Sequence, residues 1–456
     1  WISSLTDEAI TEGMANLLPC DRFDNLFLAA DSRNRADWLL GVNSSYAICK
    51  AVGFGNNSLG RVQTPVLAEI CRRYRERENH MPADSWPVFI SLCKNDRILK
   101  MRHVDDLVVR REALALYEDC KAAKSVRITA VGKRTEEIGA PALYNLAELQ
   151  KDANRYHSLT AIQVQEIAQG LYEKKLISYP RTSSRLLPKD VYDTLPPVME
   201  KMLSRKEFRQ YADTVDLAAP RDSIEAQDTM EHHAIIITGT QPGKLDREEM
   251  LVYTLIVGRM LETFMPPCKV EYTTVDTVCA ARKFRIRTYR ILEKGWLGIF
   301  EREHLVAKGC MPYLVMPDLF QEEILPVAGC SLIHKKSLPV SPYTDEELVD
   351  YMDKAGLGTV STRTNILRTL LERKYIRYSG KYVVPTPKGL FLYETVRSMK
   401  VADASLTSGW ETELARIERG ELSQEKFLDG VLETVNEVTG EIFRNHPVKK
   451  RQQGTT

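Results

Sequence analysis

The sequence predicts a multidomain α+β chain in which a β-rich domain is interrupted by a helical one. Three observations carry this. The 456 residues correspond to about three compact units of ~150 residues. A content of 43% hydrophobic and 27% charged residues is that of an ordinary globular protein able to bury several cores. The hydrophobic period also switches along the chain: helical, strand-like, helical, strand-like, helical.

Residues 1–80 read as the first helical part. Ala29 to Tyr46 mixes charged and apolar residues at helical spacing, and TPVLAEICRRY (64–74) places proline second, where a helix tolerates it. Residues 81–139 change character, because WPVFISLCKND and SVRITAVGKRTEEI alternate as half-buried strands do. Residues 140–266 return to helix. Thr160 and Gln163 have capping-box spacing ahead of the apolar stripe Val164, Ile167, Ala168 and Leu171. Residues 267–338 alternate again, and 339–456 are helical from Thr344 onward, closing on the basic tail HPVKKRQQGTT. The nested order implies that the two strand-rich stretches make one domain and the outer helical stretches another.

No run of about 18 apolar residues occurs, nor a basic-then-apolar leader, so a cytoplasmic protein without a membrane partner is expected. The first residue, Trp1, suggests that a longer chain continues upstream. Nine cysteines stand singly with no C-x-x-C pair, which argues against a zinc site and a full disulfide framework; no residue is assigned as a metal ligand. With a net charge of +1, any nucleic-acid contact has to be confined to a local surface.

The chemistry concentrates in LYEKKLISYPRTSSRLLP (171–188). Proline disfavours helix at the residue before it, so Tyr179 is expected on an extended or turn backbone. Arg181 and Arg185 flank three hydroxyls. A tyrosine beside two guanidiniums suits attack on a phosphodiester, since arginine can clamp phosphate oxygens. Taken alone, the same residues fit a surface turn with a half-buried tyrosine. In STRTNILRTLLERKYIRY (361–378) five basic residues stand against one acid. Ile366, Leu367, Leu370 and Leu371 form the expected buried stripe, with Thr362, Thr369 and Arg373 on a neighbouring face. A solvated basic helix is the other reading. Arg61 and Gln63 follow a glycine-rich turn, and His232–His233 lacks a third nearby metal ligand.

LISYPRTSSRLLP resembles the active-site signature of type IA DNA topoisomerases, of the topoisomerase III kind. The resemblance makes Tyr179 the nucleophile and Arg181 its arginine, with Ser183 where relatives are often acidic. LYNLAELQKDANR (143–155) is similar to the segment opening the tyrosine-bearing domain, and Tyr172 and Glu173 match an element holding the DNA strand near the cleavage site. DSRNRADWLLGVNSSYA (31–47) implies Arg33 as a phosphate contact. SLGRVQTP (58–65) implies Ser58, Arg61 and Gln63 at DNA. HHAIIITG (232–239) gives His232 a catalytic, phosphate-contacting role. GLGTVSTRTNILRTLLERKYI (356–376) implies Ser361, Thr362, Arg363 and Arg373, and Arg185 joins the DNA-binding set.

The resemblance implies a ring-shaped, monomeric body with winged-helix-like helical domains and a β-rich hinge. It would act in the bacterial cytoplasm, at the nucleoid, on single-stranded and on negatively supercoiled or catenated DNA. The family's Toprim domain, with its acidic magnesium cluster, has no counterpart here. LDREEM (245–250) is the nearest imitation and reads as a helix start. The chain itself is therefore expected to carry no cofactor, with Mg2+ bound by a Toprim domain in the full enzyme, and to be inactive alone. Two rivals remain. One is a tyrosine recombinase or type IB enzyme, although there the tyrosine follows the arginines and histidine. The other is a gate module that binds single strands without cutting.

Overall fold

The structure is a computed structural model that describes residues 5, 7–53, 56–206, 208–215, 224–225, 232–312 and 317–446. The basic tail from residue 447 lies outside the described residues.

Helix Asp24–Val52 buries Ala29, Ser32, Ala36, Leu40, Ser44, Ala47 and Ile48, a stripe repeating every three or four residues. It packs on helices Ala404–Glu418 and Gln424–Asn445. One core joins residues from 29 to 71 with residues from 343 to 442, so the two ends of the chain share a domain. Helices Gln63–Glu78, Asp345–Lys354, Arg363–Glu372 and Pro387–Val396 complete it. Beside them lies a small antiparallel sheet in which Tyr382–Pro385 runs between Tyr343–Thr344 and Ile376–Ser379.

The strand-rich stretches close into a barrel. Its order is Arg97–His103, Val88–Lys94, Ile324–Leu332, Ser125–Ile138, Cys268–Cys279 and Arg282–Glu293, and the last strand returns to the first through Arg102↔Arg285 and His103↔Phe284. Ser125–Ile138 pairs with Cys268–Cys279 across the helical insertion. Both hairpin turns place two residues at positive φ, Asn95–Asp96 (49° and 57°) and Ala280–Ala281 (50° and 57°), as the twist of a two-residue hairpin requires. Besides the strands Ile376–Ser379 and Tyr382–Pro385, which fall in a stretch read as helical, a 13-residue helix departs from the sequence reading. Residues 110–122, inside a stretch read as strand-like, form helix Arg110–Ala122, burying Ala113, Leu116 and Cys120. Their spacing of three and four is helical, and strand-like runs on either side mask it. A two-stranded neck, Asp84–Ser85 against Lys335–Lys336, joins the barrel to the terminal domain.

The inserted domain has its own core around helices Leu146–His157, Ala161–Glu173 and Arg247–Thr263. Thr160 and Gln163 form the capping box expected of them, and Asp246 with Glu249 forms another, so LDREEM starts a helix. Beneath these helices Asp152 Oδ2 accepts from the Tyr144 hydroxyl, from Arg259 Nη2 at 2.8 Å and from Arg302 Nη1 at 2.9 Å. Arg302 arrives on the segment returning from the barrel and stacks over Tyr156. The inserted domain docks on the terminal domain through Ala161 N–H to Asp345 (2.7 Å), Lys151 to Asp350 (2.8 Å) and Gln150 Nε2 to Thr364 (3.2 Å).

Candidate active site and strand groove

The tyrosine loop is set by the end of helix Ala161–Glu173. Lys175 takes φ 60°, and Leu176 N–H to Leu171 O and Lys175 N–H to Tyr172 O close the turn, the paired bonds of a Schellman ending. The chain then extends. Ile177 bridges Ile237, Ser178 N–H donates to Ile236 O at 2.8 Å, and Ala234 N–H donates to Leu186 O at 2.9 Å. Tyr144 bridges Ile235. Leu146 N–H reaches Thr182 O, and Thr182 Oγ1 donates to His232 O at 2.9 Å. Three separate motifs are thereby laced into one backbone frame.

On that frame Tyr179 is half-buried. Its ring lies 4.3 Å from that of His232 and 5.4 Å, edge-on, from that of Tyr172, centroid to centroid. Burial, with help from His233, holds the His232 imidazole below the usual histidine value, so the ring is neutral at pH 7. Arg181 Nε is buried and has no hydrogen-bond partner among the described residues, an orphan that an incoming phosphate oxygen would satisfy. The other residues expected nearby are placed differently. Arg185 donates to the carbonyls of Leu143 and Ala142, so it braces the frame. Glu173 is exposed and accepts from Gln169. Ser183 is exposed, its carbonyl held by Asn145.

A groove of about 780 Å³ in the terminal domain gathers Arg33, Ser58, Arg61, Gln63, Ser361, Thr362 and Arg373 from three distant motifs. Arg61 is almost fully buried, gripped by Asp37 (2.8 Å) and Glu411 (2.7 Å); Arg33 also pairs with Glu411, at 2.7 Å. Burial pushes the Glu411 carboxyl up, but hydrogen bonds from Arg33 and Arg61 outweigh it and hold the group below its usual range. These two arginines are thus largely neutralised. Arg373 differs: among the described residues its side chain donates only to uncharged oxygens, Ser58 Oγ and Gln63 Oε1. At the far wall the hydroxyls of Thr359, Ser361 and Thr362 cluster before helix Arg363–Glu372, whose N-terminal dipole favours an anion. Arg363 does not line the groove. As the first residue of that helix it turns underneath, 8% exposed, and pairs with Asp353 at 2.7 Å. Sequence reasoning missed Asp37, Trp38, Val42 and Glu411 as groove residues. The first three lie inside a motif already singled out, whereas Glu411 carries no signal without the fold.

The groove and the tyrosine are mechanically joined, because helix Arg363–Glu372 packs on helix Ala161–Glu173, whose end presents Tyr179. Among the described residues no group of three or more His, Cys, Asp or Glu side chains could hold a metal ion. The donors that these residues present do not fit magnesium. Among the same residues no helix is long and apolar enough to cross a membrane.

A closed barrel joined to two helical domains, one carrying a laced tyrosine loop and the other a polar groove, is the fold of a type IA topoisomerase body. It superposes on full-length topoisomerase I from Thermotoga maritima with a TM-score of 0.77 at 20% identity, covering 96% of this chain and 72% of that one. The chain belongs to the DNA topoisomerase family of type IA, whose family model, described as DNA topoisomerase, matches residues 21–429. DNA topoisomerase 3 of Bacillus licheniformis is 29% identical over 97% of this chain and 64% of its own length. DNA topoisomerase 1 of Methanocaldococcus jannaschii is 29% identical over 94% of this chain and 55% of its own length. The chain thus spans less than two thirds of these curated relatives.

Proposed function

We propose that this chain is the DNA-cutting and strand-holding body of a topoisomerase III-like enzyme, with Tyr179 as nucleophile. The observation that carries the reading is the backbone frame that brings Tyr179, Arg181 and His232 together from two motifs while leaving the tyrosine reachable. The phenol oxygen of Tyr179 attacks a phosphodiester of one strand. A 5′ phosphotyrosine forms, the 3′ oxygen leaves, and the phenol proton is the one that the leaving 3′ hydroxyl gains. Another strand passes the gap, and the 3′ hydroxyl reverses the reaction. The covalent bond conserves the energy of the one broken, so no nucleotide is needed. Arg181 clamps the phosphate, and His232, neutral in the free protein, hydrogen-bonds beside it. The magnesium-binding carboxylates are assigned to a Toprim domain outside these residues, and the site of action to the cytoplasm.

The test uses the 456-residue chain with and without a Toprim domain, fused or added. The chain alone should bind single-stranded DNA without magnesium and neither form an adduct nor relax supercoiled plasmid. The added domain should bring both activities, in a magnesium-dependent way. Relaxation by the chain alone, absent in a Tyr179→Phe control, would sink this division of labour.

Two results should separate the parts of the surface. Arg373→Ala should weaken binding to all single-stranded sequences alike and lower the salt slope by about 0.7, the loss of one phosphate contact. A loss confined to certain sequences would instead mean base readout. His232 should make binding pH-dependent. Its value is depressed in the free protein, a bound phosphate favours the charged ring, and binding therefore takes up protons. Affinity should rise as pH falls from 7.5 towards 5.5, and the rise should vanish in His232→Gln; an identical profile in the variant would remove His232 from the phosphate.

A further inference from the structure

The groove has an aromatic rim that its phosphate chemistry leaves unexplained. On helix Asp24–Val52, Trp38 is 65% exposed, Val42 49% and Tyr46 62%. Trp38 and Val42 line the groove itself, and Tyr46 continues their line. At 3.6 residues per turn, positions 38, 42 and 46 lie within about 80° of one another round the helix. Single exposed apolar residues are ordinary, but three large ones aligned beside a polar groove form a surface. Charge completes it: Arg373, which has no acidic partner among the described residues, lies in the groove, and Lys50 Nζ sits 5.6 Å from the Tyr46 ring.

We infer that this rim is a base-stacking rail for single-stranded DNA, with Trp38 as its main platform and Tyr46 as its outer end. The inference rests on the groove holding the strand, and adds what holds the bases. The eight residue steps of helix from Trp38 to Tyr46 rise about 12 Å, room for roughly three bases at about 3.4 Å apiece. With phosphates anchored on Arg373 and the hydroxyls of Ser361 and Thr362, the bases of the same strand face the rail. Stacking on an indole is indifferent to base identity, so the rail adds affinity without sequence preference. A flat, exposed Trp38 also gives the interaction its own signal, because a stacked base quenches indole fluorescence.

The test compares one oligonucleotide with a same-length strand carrying abasic sites in place of its central bases, on the wild-type chain, Trp38→Ala, Trp38→Phe and Arg373→Ala. Trp38 is exposed, so its replacement leaves the fold intact. The wild type should bind the abasic strand about tenfold more weakly than the full one. Trp38→Ala should lose about the same factor on the full strand and no longer tell the two apart. Trp38→Phe should retain most of the discrimination, and Arg373→Ala should weaken both strands equally. Equal wild-type binding of the two strands, or discrimination surviving in Trp38→Ala, would overturn the rail. It would point to another occupant of this face, such as a further part of a longer chain. If Arg373→Ala weakens binding while Trp38→Ala does not, the groove stands and only the rail falls. If neither change alters binding, the groove reading falls as well.

Discussion

Tyr179→Phe, in a protein carrying this chain together with a Toprim domain, should abolish the covalent DNA adduct while leaving DNA affinity within a few fold. The hydroxyl is the only atom removed, and the ring keeps its contacts with Tyr172 and His232. Frame and groove therefore survive and only the attacking oxygen is lost. The check is a denaturing gel of a labelled oligonucleotide with the variant, beside a binding titration. A persisting adduct would place the nucleophile elsewhere. Loss of binding together with the adduct would mean that the hydroxyl also holds the fold or the strand.

Asp152→Ala should give the largest stability effect. One oxygen of Asp152 accepts from Tyr144, Arg259 and Arg302, and both arginine side chains are only 6% exposed. Removing the carboxylate leaves two buried guanidiniums sharing one remaining acid, Glu262, which Arg259 contacts at 3.0 Å. Breaking a buried pair from one side costs about 3–5 kcal/mol. Asp350→Ala, which breaks the partly exposed pair with Lys151, should cost no more than about 1 kcal/mol. Urea unfolding of the two variants decides it. Similar midpoints would show that the network is dispensable and that apolar packing alone ties the barrel's return segment to the tyrosine domain.

Much of this architecture is legible in the sequence because it rests on local rules. The Thr160–Gln163 and Asp246–Glu249 boxes mark helix starts with side chains three residues apart. The apolar stripes of helices Asp24–Val52 and Ala161–Glu173 repeat at helical spacing, and the alternation of 125–138 and 268–279 marks strands that do pair. Elements governed by non-local packing are harder to read. Helix Arg110–Ala122 is short and flanked by strands, so its three buried positions are easily lost in the surrounding alternation. The Ala280–Ala281 turn lacks the glycine or asparagine that usually announces two positive-φ residues, and only the closed barrel makes it necessary. At the groove, motif residues locate the walls but not their charge state. Arg61 and Arg363 look like free cations in sequence, and the structure pairs them with Asp37, Glu411 and Asp353. Glu411 lies 350 residues from Arg61 in the chain, beyond the reach of any local pattern.

The chemistry of the covalent adduct decides whether Tyr179 is the nucleophile. A labelled single strand is trapped on the Toprim-complemented protein, both partners are digested, and the nucleotide-bearing peptide is sequenced by mass spectrometry. The expected product is a peptide spanning Tyr179 with the phosphate on that tyrosine, joined to the 5′ end of the DNA and leaving a free 3′ hydroxyl on the other fragment. A phosphate joined through the 3′ end, as in type IB enzymes and tyrosine recombinases, or one carried by another residue, would contradict it.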